Sequence, residues 1–355
     1  MNELEKFLAS YFNKKYCCFT GSGTTAVYLI LKALNLKGKK ILFPAITCMA
    51  PVNAAMYAGY DIVFCDINLN DYTIDINNLE ALLNKHEIGI IVPTHIYGHR
   101  CNMDKISEIA TKNNIFILED AAQTDVLSEK SDASITSFGH TKIFKAENGG
   151  GAVCTEDQGL FDSILHEKQK LNNKKENTNE LFNNYREIYY SIIKAIKKDG
   201  IFWELMLYLQ KVSKDVFVYN LDANLKIIEV LKRCNKIVEN RIKRADLYDK
   251  YLDKASIEIP MISRENVRWR YSFLFHGDRD KLLEKVRERD IDISSWYPSL
   301  HRMYSNQKDI EFPNAIFLEK HIVNLWVDPK YSEEKIRNDI ENINDILRLI
   351  KSNGG

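Results

Sequence analysis

The chain lacks a charge of either sign in excess: 49 Lys and Arg stand against 49 Asp and Glu in 355 residues. No global field therefore favours nucleic acid or an anionic membrane. It also lacks any apolar run near the roughly 20 residues of a membrane span. The start, Met1-Asn-Glu-Leu-Glu-Lys6, lacks the basic-then-apolar pattern of a secretory signal. Cysteine is sparse and unpatterned: Cys17, Cys18, Cys48, Cys65, Cys101, Cys154 and Cys234 are odd in number and scattered. No CxxC pair or Cys/His cluster has zinc spacing, so no metal is expected. A reducing cytoplasm is the simplest reading. Repeats and low-complexity tracts are missing too.

What is present is alternation. Short apolar runs at Tyr16–Phe19, Lys40–Phe43, Asp61–Cys65, Ile88–Val92, Ile115–Leu118, Ala133–Ser137 and Ala152–Thr155 read as strands. Several lack polar alternation, as in a mostly parallel sheet buried on both faces. Helical patterns lie between them: Thr25–Leu34, Ala45–Tyr57, Ile76–Leu83 and Met103–Asn113. This order predicts an α/β fold: a three-layer large domain over residues 1–235 with a seven-stranded sheet, then a smaller α/β domain over 236–355.

The middle differs. Asn172–Glu180 is polar and reads as a surface loop. Glu187–Gln210 is helical in pattern with a break near Asp199-Gly200, and Lys211–Asn220 reads as a connector. Residues 172–220 thus form a helical insert. Its stripe of Tyr189, Tyr190, Ile192, Ile193, Ile196, Ile201, Trp203, Leu205 and Leu207 suits core or dimer packing. A basic membrane-facing helix, with Lys194, Lys197 and Lys198, is the minority reading. Asn224–Leu252 reads as one long helix. After it come a strand at Arg270–Phe275 and helices at Arg279–Arg289, Ile316–Val323 and Ser332–Ile350.

The chemistry concentrates in a few strings. Ile115-Phe-Ile-Leu-Glu-Asp-Ala-Ala-Gln123 delivers Asp120 to the end of a strand, where open α/β sheets bind ligands. Asp at that place is as readily a helix N-cap, and Gln123 a capping partner. Ser137-Phe-Gly-His-Thr-Lys142 follows, before Gly149-Gly-Gly151. Most lysines are surface residues, and Lys145 is a nearby rival. Yet acid, amide, hydroxyl and amine in this order are what pyridoxal phosphate (PLP) requires. The lysine forms an imine, and the acid keeps the pyridine nitrogen protonated. Gly21-Ser-Gly-Thr-Thr-Ala26 follows a strand and opens a helix, a place where backbone N–H groups and hydroxyls close around phosphate. It matches neither the dinucleotide nor the P-loop register. Ser294-Ser-Trp-Tyr-Pro-Ser-Leu-His301 clusters aromatic, hydroxyl and imidazole groups. A packed loop with a satisfied histidine explains it equally well.

Taken together and in order, these residues resemble the DegT-type (DegT/DnrJ/StrS) sugar aminotransferases, a fold-type I PLP-dependent family. Phe43-Pro-Ala-Ile-Thr-Cys48, Ala55–Asp66, Tyr72-Thr-Ile-Asp75, Pro93-Thr-His-Ile-Tyr-Gly98, Asn102-Met-Asp104 and Tyr297-Pro-x-x-His301 complete the likeness. The resemblance implies that Lys142 bonds the cofactor and carries protons. It implies that Asp120 binds the pyridine nitrogen, that Gln123 binds the ring hydroxyl, and that Gly23, Thr24, Thr25 and Ser137 hold the phosphate. PLP would alternate with pyridoxamine phosphate as the amine passes from an amino acid, usually glutamate, to a keto-sugar, usually nucleotide-linked. Surface-glycan or natural-product sugar synthesis would be the setting. A homodimer with a shared site is implied.

There are departures. Cys48 stands where the family often stacks an aromatic on the ring. The family's Asn-x-Arg segment has no clear match beyond Asn220. Arg270, Tyr297 and His301 are candidates for substrate contact. Related sugar dehydratases replace the lysine with histidine; here Lys142 is present, with His140 two residues away. A scaffold without turnover is the remaining alternative, and the intact Lys142, Asp120 and Gln123 oppose it.

Overall fold

The computed structural model describes residues 1–36, 38–196 and 202–352. Its main sheet uses the seven expected strands: β1 (Tyr16–Thr20), β2 (Lys40–Pro44), β3 (Ile62–Cys65), β4 (Ile88–Ile91), β5 (Phe116–Asp120), β6 (Ala133–Ser137) and β7 (Gly151–Thr155). Their order is β1-β7-β6-β5-β4-β2-β3. Only β7 opposes its neighbours, so the other six end on one edge. These strands are buried along nearly their whole length because helices cover both faces. Helix Gly23–Leu34 starts where the Ser22 hydroxyl accepts the Thr25 N–H. Asp75 and Asn102 cap the helices Ile76–Leu83 and Met103–Asn113 in the same way.

The second half carries a four-stranded antiparallel sheet, ordered β10 (Ile293–Ser294), β11 (Ile322–Leu325), β9 (Tyr271–Phe275) and β8 (Ile257–Glu258). It has its own core, with Tyr248, Phe273, Leu282, Val323 and Ile340 buried. Val267, Trp269, Leu300 and Phe312 pack instead into the core of the first sheet. The sequence-based boundary at 235/236 falls in the first turn of helix Cys234–Tyr251.

Several expected elements differ: the helix expected over Ala45–Tyr57 begins at Met49, and the expected connector Lys211–Asn220 contains a short helix, Lys214–Phe217. Asn224–Leu252 is two helices, Lys226–Leu231 and Cys234–Tyr251, separated at Lys232 and Arg233. Ile316–Val323 is not one helix: helix Pro313–His321 stops and β11 begins at Ile322. There β-branched Ile322 and Val323 pair with Leu274 and Phe273. The polar loop is shorter than expected, because helix Thr178–Ile196 already begins at Thr178.

The insert folds onto its own chain. Ile192, Met206 and Leu209 are buried, and Gln210 accepts from Asn53 (2.8 Å) and Tyr185 (2.9 Å). Tyr190 and Leu205 of the apolar stripe are exposed, at 43% and 47%. The break at Asp199-Gly200, the side chains of Ile196 and Ile201, and Lys197 and Lys198 lie outside the described residues. Among the described residues no helix is long and apolar enough to cross a membrane.

Candidate active site

A cavity of about 600 Å³ opens at the carboxyl edge of the main sheet. Four segments bring Gly23 and Thr24 (after β1), Cys48 (after β2), Asp120 and Gln123 (β5 and beyond), and Ser137 and Lys142 (β6 and beyond) to its wall. This is where a parallel sheet places its ligand, since every forward strand ends there.

At one end, Gly23 meets Ser137 so closely that a Cβ on Gly23 would lie 3.1 Å from the Ser137 Cβ. The first turn of helix Gly23–Leu34 has N–H groups without intrahelical acceptors at this point. Thr24 lines the wall; Thr25 does not, because its hydroxyl bonds the Phe217 carbonyl (3.0 Å) inside the fold. The Ser22 hydroxyl does the same at 2.6 Å. Tyr219 lies over this turn, so close that a Cβ on Gly21 would be 2.4 Å from its carbonyl oxygen.

At the other end, Asp120 is 5% exposed. Its Oδ1 accepts the Ala122 N–H at 3.0 Å, and no protein hydrogen bond reaches Oδ2 among the described residues. Burial raises its pKa, and the charge of Lys142 opposes that rise. Burial likewise raises the Cys48 thiol, again against the Lys142 charge. The thiol therefore stays protonated at neutral pH. Burial, with the charges of Arg186 and Lys142, lowers His140. The rival Lys145 is drawn away to Asp328 at 3.2 Å.

Gln123 is 3% exposed and lines the cavity. Its Oε1 accepts the Tyr97 N–H (2.8 Å), and its Nε2 donates to the Tyr297 hydroxyl (3.1 Å). Tyr297 thus reaches the site through Gln123 rather than by lining the cavity.

Three other candidates lie elsewhere. Arg270 is clamped between the Trp269 and Trp326 rings, 4.0 and 3.4 Å from their centroids, and donates to the Trp269 carbonyl. Burial and the Arg241 charge lower its pKa to about 9. His301 is fully buried, bonded to Ser299 (2.7 Å) and Asp309 (2.8 Å) and stacked on Phe312. Neither Arg270 nor His301 lines the cavity. Asn220 does not line it either; its side chain donates to Asn173 at 3.2 Å.

The insert, which by the resemblance lies where sugar-nucleotide recognition is usually built, supplies part of the wall: Lys174, Thr178, Asn179, Phe182, Phe217 and Tyr219, of which the sequence singled out only Tyr219, beside Asn220. The signal available was an aromatic pair, Phe217 and Tyr219, in a segment read only as a connector. Phe182 faces His140 edge-on at 6.3 Å, and Arg186 lies over the Phe182 ring. The insert is thus part of the site.

The donor set fits PLP. A buried carboxylate with a spare oxygen, a primary amine and a helix start converge on one cavity, and each matches one pole of the cofactor. The fold and site define a PLP-dependent aminotransferase scaffold. Comparison with known proteins narrows this: the DegT/DnrJ/EryC1/StrS aminotransferase family matches residues 1–344, and the chain belongs to it. GDP-perosamine synthase of Escherichia coli O157:H7 is 24% identical over 362 residues, covering 97% of this chain and 90% of that one. The 3-oxo-glucose-6-phosphate:glutamate aminotransferase of Bacillus subtilis is 26% identical over 317 residues. That alignment covers 85% of this chain and 64% of the relative. Among solved structures, the aminotransferase of Psychrobacter cryohalolentis superposes with a TM-score of 0.75 at 18% identity, covering 98% and 91% of the two chains. NtdA of Bacillus subtilis with bound PMP gives 0.74 at 22%, covering 98% and 76%. The expected aspartate-aminotransferase-like fold is borne out by these superpositions.

Proposed function

We propose that this protein moves an amino group from glutamate to a nucleotide-linked keto-sugar, using PLP. The observation that carries the reading is the shared cavity of Asp120 and Lys142, in which a buried carboxylate keeps an unused oxygen. PLP, when bound, supplies an electrophilic carbon for the amine and a ring that accepts an electron pair.

The chain's own groups do the rest. Lys142 Nζ takes the proton from the donor's α-carbon and returns one on the acceptor side. With the cofactor bound, Asp120 Oδ2 would hold the proton of the ring nitrogen. The helix start at Gly23 and Thr24, with the Ser137 hydroxyl, holds the phosphate. Cys48, lining the same cavity, would offer the ring a thiol rather than an aromatic face. The insert residues Lys174, Phe182 and Tyr219 supply a cation and two aromatic faces to the acceptor's carrier, chemistry suited to a phosphate and a base.

The relatives support the reading by their names: GDP-perosamine synthase and a UDP-linked amino-sugar transaminase of Campylobacter jejuni, the latter 35% identical over 173 residues. The proposal includes a cytoplasmic homodimer. Seven free thiols suit a reducing compartment, and light scattering tests the dimer. The decisive experiment supplies PLP and glutamate and measures 2-oxoglutarate, then offers a panel of nucleotide-linked keto-sugars. Amination of one sugar by the wild type, and none by Lys142→Ala, is expected. If no amino donor yields its keto acid, the proposal fails.

A further inference from the structure

Tyr97 has a left-handed backbone, φ 58°, a conformation that a bulky residue adopts only where its surroundings impose it. The surroundings here are specific. Next to it, Gly98 (φ 92°) passes so close to the chain that a Cβ would lie 2.0 Å from the Val267 carbonyl oxygen, so only glycine fits. The Tyr97 carbonyl accepts the Trp269 N–H at 2.8 Å. Its ring meets Tyr72 edge-on and stacks on Tyr297 at 5.9 Å. The segment is pinned on three sides, and the strain points one backbone N–H at Gln123.

That N–H decides the orientation of the Gln123 amide. A backbone N–H can only donate, so the atom 2.8 Å away must be the side-chain oxygen. The amide nitrogen then occupies the other branch. One of its hydrogens goes to the Tyr297 hydroxyl at 3.1 Å. The second is left for the cavity that Gln123 lines. Turning the amide over would set N–H against N–H in a site 3% exposed.

Tyr97 holds the other end of the same link. Its hydroxyl accepts the Tyr297 N–H at 3.0 Å and donates to the Trp296 carbonyl. The acceptor that Gln123 uses is therefore anchored by the residue that orients Gln123. We propose that Tyr97 is a positioning residue that fixes Gln123 as a one-way hydrogen-bond donor toward an anionic ring oxygen of the cofactor. The inference rests on the reading of this cavity as a PLP site. It adds that the cavity receives an N–H at this point and never a carbonyl oxygen.

The test is a pH titration of the visible absorbance of the PLP-loaded, full-length protein, with thermal melts as the folding control. A donor to the anionic oxygen lowers the pKa of the chromophore, so losing it raises that pKa. Gln123→Glu keeps an acceptor for the Tyr97 N–H and removes the donor. It should raise the midpoint by about one pH unit, a tenfold change. Tyr97→Phe keeps the backbone N–H and loses both hydroxyl bonds; it should raise the midpoint at least about twofold in proton concentration. Asp120, Lys142, Cys48 and His140 are unchanged in both variants. If Tyr97→Phe does not fold, Tyr297→Phe, which deletes the anchored acceptor, should shift in the same direction. A Gln123→Glu curve that overlays the wild type overturns the donor assignment. A tyrosine variant that overlays the wild type overturns the positioning role. A wild type with no visible band fails the PLP reading itself, which is a separate result.

Discussion

Glu119 and Asp120 are neighbours on β5, both buried, and they are used in opposite ways. Glu119 faces inward to a full set of donors: His95 Nε2 (2.8 Å), the Ser128 N–H (2.9 Å), Ser131 Oγ (3.1 Å) and Ser134 Oγ (2.5 Å). His95 Nδ1 in turn accepts the Cys101 N–H, so Nε2 carries a proton and donates the hydrogen bond to the Glu119 carboxylate. Burial alone would raise Glu119; the His95, Ser134 and Ser128 donors outweigh it and hold the carboxyl below its ordinary value. Asp120 has one backbone donor and an oxygen to spare, and burial leaves its pKa raised. A satisfied carboxylate stabilises the fold. An unsatisfied one is a cost that a ligand can relieve.

The largest expected effect sharpens the cavity side. Lys142→Ala should lower turnover on the order of 10³-fold or more while the melting temperature of the cofactor-free protein stays near wild type. A variant that keeps a tenth of the activity would move the chemistry to another group. Glu119→Gln breaks the other side. Removing a buried, fully bonded charge should destabilise the protein by about 3 kcal/mol in denaturant titration. A loss below about 0.5 kcal/mol would mean the network is idle.

The two carboxylates also give opposite pH slopes in the cofactor-free protein. Asp120 binds its proton more readily folded than unfolded. Its protonation as pH falls through the raised pKa therefore stabilises the fold relative to neutral pH. Glu119 binds its proton less readily folded. Its contribution is full above about 4.3 and is lost as pH falls through the depressed value. Comparing Asp120→Asn and Glu119→Gln with the wild type across pH 3 to 7 separates the slopes. Parallel curves for both variants would contradict the assignment. The smallest effect belongs to His301. Since Ser299, Asp309 and Phe312 satisfy it outside the cavity, His301→Ala should cost about 1–2 kcal/mol of stability and change KM and kcat less than about twofold. A tenfold rise in KM for the acceptor would restore it as a substrate residue.

The same contrast explains what the sequence revealed. Asp120, Ser137 and Lys142 were legible in place but not in role: a buried strand followed by a polar residue is a local pattern, and sheet topology sends such ends to one edge, yet Asp120 read equally as a cap and Lys145 rivalled Lys142 until the strings were taken together. The seven strands were legible for the same reason. Arg270 was not, because its clamp needs Trp326, whose proximity is a tertiary fact. His301 was ambiguous because Asp309 caps its ring only after the loop has folded back. The break at Ile322 was hidden because an apolar run bounded by charges suits a helix as well as a strand until its partners, Phe273 and Leu274, are known. Which insert residues reach the cavity wall was hidden for the same reason, since contact between Phe182 and His140 spans segments with no shared pattern.

The most direct measurement is PLP affinity in Asp120→Asn, read by absorbance titration beside the cofactor-free unfolding free energy. An amide cannot hold the charged ring nitrogen, so affinity should fall at least about tenfold, while stability stays within about 0.5 kcal/mol of wild type or rises. Asp120→Asn binding PLP as the wild type does, or unfolding as readily as Glu119→Gln, would contradict the division of labour between the two carboxylates.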